Sequence, residues 1–152
     1  MRRRSLAVVA CLTWAMLVPA APILADESGR PFSTSLTGAV EIPGPGDPDA
    51  SGTARLVLNQ GLGKVCFRVN WEDVNGTVFA AHIHAAPAGV AGPIVVTLFE
   101  GTFAGTDSVS GCATGVDRGL IKAIRQAPAG FYVNVHSIPD FPGGAVRGQL
   151  SK

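Results

Sequence analysis

Charge and aromatic surface are both scarce in this chain of 152 residues: 15% of the residues are charged and 7% aromatic, with a single Tyr. At 47% hydrophobic residues the chain is too apolar and too weakly charged for intrinsic disorder. Lys/Glu-rich stretches with helical periodicity are also missing, which excludes a coiled coil and argues against a helical bundle. Gly (19) and Pro (11) are abundant but follow no triplet period, so a collagen-like rod is excluded as well. What remains is one domain with a real core and no room for a second.

The long apolar run is confined to the first residues. Arg2, Arg3 and Arg4 precede an apolar stretch over residues 6–18, shorter than the ~18 residues that a membrane helix needs. Ile23-Leu24-Ala25 follows as a cleavage signal. Residues 1–25 therefore read as a secretory signal peptide and residues 26–152 as the mature domain, secreted to a periplasmic or extracellular compartment. Val8-Val9-Ala10-Cys11 resembles a lipid-attachment box, but the apolar run continues past it.

Removing the leader takes away three of the 12 basic residues, so the 11 acidic residues outnumber the basic ones that stay. No basic patch is left to bind nucleic acid, and no second apolar stretch approaches spanning length. Cys11 leaves with the leader, while Cys66 and Cys112 stay as an even pair in an oxidising compartment, which predicts a disulfide.

Turn signals break the mature sequence into short strands. Alternation or β-rich composition predicts strands over 32–40, 53–58, 64–70, 77–84, 94–99, 131–136 and 145–150, with a weaker one over 102–109. In 64–70 the alternation is cleanest: Val65, Phe67 and Val69 face one way, and Lys64, Cys66, Arg68 and Asn70 the other. One helix interrupts, with Asp117 as N-cap and Pro128 beyond its end. Seven or eight strands at this spacing predict an all-β fold, an antiparallel Greek-key β-sandwich with one short helix.

All three histidines fall in predicted strands. His82 and His84 are two residues apart and share a face, opposite Ala81 and Ile83. Val133 and Val135 take the apolar parity of their strand, which leaves Tyr132, Asn134 and His136 on the other face. If the two strands are neighbours, three imidazoles meet on one polar surface, a donor set suited to copper or zinc with an open position for water. The competing reading is structural: the histidines hydrogen-bond to backbone or to Asn134, Arg147 and Gln149 and fix the adjacent loops. On the last strand Arg147 and Gln149 share a face, and Glu41 is the expected carboxylate partner of Arg147.

Other chemistries lack their residues. No Gly-x-Ser-x-Gly elbow, phosphate-cradling loop or paired-carboxylate arrangement is present. A disulfide would take Cys66 out of nucleophilic chemistry. Asn75-Gly76-Thr77 is a glycosylation acceptor in a eukaryotic host and otherwise a turn.

Several motifs together resemble a known family. They are Phe32, Leu36, Gly38, Glu41 and Pro43; Gly52-Thr53-Ala54; Ala81-His82-Ile83-His84 with Gly89 and Gly92-Pro93-Ile94-Val95; Tyr132-Val133-Asn134-Val135-His136; and Gly144 with Arg147-Gly148-Gln149-Leu150. In this order they resemble the CHRD domain, named after chordin and also found alone in secreted microbial proteins. Ala86 and Ser137 depart from that pattern, where Gly and Thr are usual. The resemblance implies an extracellular β-sandwich and supplies no catalytic residues. A His-x-His strand on a Greek-key sandwich is also similar to Cu/Zn superoxide dismutase, although three histidines cannot build a two-metal site.

The expectation is thus a secreted, non-catalytic binding or envelope module whose partner is an unidentified extracellular protein or envelope component. The alternative is a copper-binding, redox-capable protein using His82, His84 and His136. The loops over 85–92 and 138–144, with Phe141 as an apolar anchor, are a further recognition surface.

Overall fold

The computed structural model describes residues 29–151, so the leader expected over residues 1–25 lies outside the described residues. Eight strands follow in chain order: β1 Arg30–Thr37, β2 Ser51–Asn59, β3 Lys64–Glu72, β4 Thr77–Ala85, β5 Ile94–Glu100, β6 Ser108–Thr114, β7 Phe131–Ile138 and β8 Val146–Gln149. Among the described residues a single α-helix, α1 Arg118–Gln126, separates β6 from β7. Asp117 caps it, its Oδ1 accepting from the Leu120 amide at 2.7 Å, while Ile121 and Ile124 are buried.

The strands form one antiparallel sheet in the order β5-β4-β7-β8-β1-β2-β3-β6. The sheet curls until its edge strands β5 and β6 approach each other, a barrel-like closure of the expected all-β fold. Connections that leave one part of the sheet and return in another put β4 beside β7 and β3 beside β6, although neither pair is consecutive in sequence.

Inside the curl lies the apolar core, built by strand alternation. Val65, Phe67, Val69 and Trp71 of β3 point inward, as do Ala81 and Ile83 of β4, Val133 and Val135 of β7, and Val146 of β8. The Phe99 ring of β5 packs against Phe67 and Trp71 with centroids 6.1 and 5.9 Å apart, joining the two ends of the sheet. Gly148 is required where β1 crosses β8, because a Cβ there would strike the Ser35 carbonyl.

One predicted strand is displaced. The weak pattern over 102–109 is mostly loop, and β6 begins only at Ser108. Gly101 and Gly105 adopt φ of 143° and 72°, which break the ladder, and Phe103 turns in to meet Phe99 edge-on. The true β6 was hidden because it is a mostly exposed edge strand. Its register sets Cys112 opposite Cys66 of β3, and the two are bonded, with S–S 2.11 Å. Among the described residues no helix is long and apolar enough to cross a membrane.

Candidate metal centre

The outer face of β4, β7 and β8 carries a second, polar layer. Pairing sets His82 opposite Asn134 and His84 opposite Tyr132, with His136 two residues further along β7. Asn134 in turn faces Arg147 of β8. The predicted neighbours are therefore neighbours, and one ring nitrogen from each of His82, His84 and His136 lies within 4.8 Å of the others.

This face is not the open polar surface expected of it. His82, His84, His136, Asn134, Arg147 and Glu41 are all buried, because the loops over 86–93, 139–145 and 41–47 fold across the sheet. Side chains of the polar layer hold those loops. His84 Nδ1 meets the Gly92 carbonyl at 2.8 Å, His136 Nδ1 the Pro142 carbonyl at 3.1 Å, and the Gly92 amide donates to the Tyr132 hydroxyl at 3.2 Å. Gln149 Nε2 donates to the carbonyls of Ala86, Ala129 and Phe131.

Those outward bonds decide what the imidazoles present inward. A ring nitrogen facing a carbonyl must carry the proton, so the other nitrogen of His84 and of His136 holds a lone pair. On His82 it is Nε2 that turns outward, 3.5 Å from Glu100 Oε1, leaving Nδ1 to face His136 Nε2 at 3.1 Å. His84 Nε2 is buried without a hydrogen-bond partner. Burial, then the neighbouring histidines, push the pKa of His136 down to about 4. Burial also lowers that of His82, partly opposed by Glu100. Burial thus favours the neutral form of His82 and His136, and the cluster is rich in acceptors, an arrangement that a cation satisfies.

Arg147 departs from its expected role. It makes no close ion pair with Glu41; its Nη2 donates to the carbonyls of Pro87 and Val90 at 3.2 and 3.0 Å. Its guanidinium lies 3.3 Å from the centre of the Tyr132 ring, which stacks in turn on His84 at 4.8 Å. A groove of about 270 Å³ beside Thr37, Val40 and Gly89 reaches Arg147 and Gln149 but not the histidines. Glu41 accepts from its neighbour's amide, Ile42 N, at 3.1 Å. Burial raises its pKa to about 7, with Ile42, Arg147 and Asn134 pulling the other way. Gly144, at φ 143°, makes room for that carboxyl, since a Cβ there would collide with it.

Among the remaining sequence expectations, Phe141 is half-buried and Ile138 beside it is the exposed apolar residue. Asn75 spends its side-chain amide on Asp47, at 3.1 Å. Glu100 was missed: it lies 18 positions from His82, and only the β4–β5 pairing brings it alongside.

A family model for the CHRD domain matches residues 32–150. The chain belongs to the CHRD domain family. No curated protein and no solved structure gives a significant match. Within this CHRD domain the histidine strands β4 and β7, the Gly144 bend and the Arg147 strand β8 converge on one buried centre.

Proposed function

We propose that this CHRD-domain protein is a secreted, non-catalytic binding module that holds one copper ion between His82, His84 and His136. The observation that carries the reading is the convergence of three ring nitrogens within 4.8 Å, their opposite nitrogens turned to Gly92, Pro142 and Glu100. Neutral imidazoles suit copper and zinc, and outer-shell partners of this kind orient metal-ligating histidines. Secretion rests on the leader signal of residues 1–25 and agrees with the Cys66–Cys112 bond. The covering loops favour holding an ion over turning over a substrate. An extracellular protein or envelope component remains the expected partner.

The test is copper titration of the purified protein by calorimetry and metal analysis, beside the His82→Ala/His136→Ala variant. The expected result is one tightly bound copper per chain in the wild type and its loss in the variant. Equal affinity in the two would make the histidines structural, and tight zinc with weak copper would replace the metal while keeping the site.

A further inference from the structure

The three histidines do not complete the cluster. His136 Nε2 has two close neighbours: His82 Nδ1 at 3.1 Å and Asn134 Oδ1 at 3.0 Å. His136 spends its ring proton on Pro142, so its Nε2 is an acceptor beside the Asn134 oxygen, and His82 adds a third acceptor in the tautomer that carries its proton on Nε2, toward Glu100. Ligand atoms bonded tetrahedrally to one ion at ~2.0–2.1 Å stand about 3.3 Å apart, so both contacts are near the length of tetrahedron edges, while the histidine nitrogens, spread over as much as 4.8 Å, would draw together on an ion.

The Asn134 amide turns its oxygen to the histidines, Oδ1 lying 3.0 Å from His136 Nε2. Glu41 is 3% exposed, and its buried Oε2 has no partner at hydrogen-bonding distance, so it is an acceptor that an amide NH2 group would satisfy. With the oxygen on the histidine side, the NH2 group is left as the donor for Glu41. The Ile42 amide holds Glu41 in place, and Gly144 leaves the space it occupies.

We propose that Asn134 Oδ1 is the fourth ligand of the ion, aimed by Glu41, so that the centre is a closed site of three nitrogens and one oxygen with no position for water or substrate. This rests on the metal-binding reading above and sharpens it: a closed centre stores, carries or braces an ion, and a catalytic one keeps a position open. Glu41 acts as a positioning residue through the amide.

The experiment uses the purified protein loaded with Co(II) or Cu(II) and titrated with sodium azide, followed by visible absorption and electron paramagnetic resonance. The wild type should show a four-coordinate Co(II) spectrum that azide does not shift. Asn134→Ala should bind Cu(II) roughly 10–100-fold more weakly and acquire an azide-dependent spectrum. Asn134→Asp, which keeps the shape and an oxygen donor, should stay closed to azide, and it serves where the alanine variant fails to fold. Glu41→Ala should open the site partially, and Glu41→Gln, whose carbonyl accepts the same amide hydrogen, should restore it. An azide-sensitive wild type would overturn the fourth ligand while leaving the three-histidine site intact. A wild type that binds neither metal would overturn both readings.

Discussion

Glu41 shows how a single residue is held against its own solvation preference. Its carboxyl is buried, and its pKa stands at about 7 against an ordinary 4.5, chiefly because burial disfavours the anion. A folded-state pKa above the unfolded one means that the folded chain binds the proton more tightly. The associated stability is complete below pH 4.5 and is lost as pH rises through 7, on the order of 3 kcal/mol in all. In EDTA-treated protein, Glu41→Gln removes the titration and keeps the shape. Its melting temperature relative to wild type should therefore climb between pH 5 and pH 8, as read by thermal unfolding; a flat or falling difference would show that the carboxyl is not held neutral by burial. Parity alone placed His82, His84, His136 and Asn134 on common faces, because alternation records which way a strand residue points. It could not show that Arg147 would meet loop carbonyls before a carboxylate. Pro87 and Val90 are brought over the strand by a loop whose path no periodicity encodes.

Among the elements, β6 is the least evident in sequence and the most dependent on a covalent tie. As an edge strand with little buried surface it has weak alternation, and its place against β3 is marked by the Cys66–Cys112 bond and by Gly111, whose missing side chain admits the Phe67 ring. The strongly patterned strands β3, β4 and β7 were legible almost to their ends, since each turns one continuous apolar face to the core. The disulfide spans 46 positions, for which loop-closure entropy gives about 4 kcal/mol. Cys66→Ser/Cys112→Ser should lower the melting temperature by roughly 15 °C. Copper stoichiometry below that transition should not change, because the bond joins β3 to β6 and the histidines stand on β4 and β7. Calorimetry and metal analysis on the same sample check both halves. An unchanged melting temperature would mean that the bond carries no stability, and lost copper would mean that the two ends of the sheet are coupled.

At the scale of the whole molecule, the sheet separates two interiors. The apolar one, within the curl, is formed by strands alone; the polar one, outside β4, β7 and β8, exists because loops close over it. Those loops are fastened by the same side chains that would hold the ion: His84 through Gly92 and His136 through Pro142. Fixing the imidazoles in a coordination sphere therefore fixes the loop carbonyls they bond, while β2 and β3 are untouched. A ligand bound only by the folded state at a hundredfold excess over its dissociation constant adds about 2.7 kcal/mol, here roughly 10 °C in melting temperature. The gain should be unevenly distributed. Amide hydrogen exchange with and without Cu(II) should slow over the loops 86–93 and 139–145 and change little in β2 and β3 below the global opening limit. Uniform protection would mean that the ion only shifts global unfolding. Absence of any change in the two loops, with copper bound, would mean that the outward histidine bonds do not transmit the coordination, and the Gly92 and Pro142 carbonyls would lose their role as an outer shell.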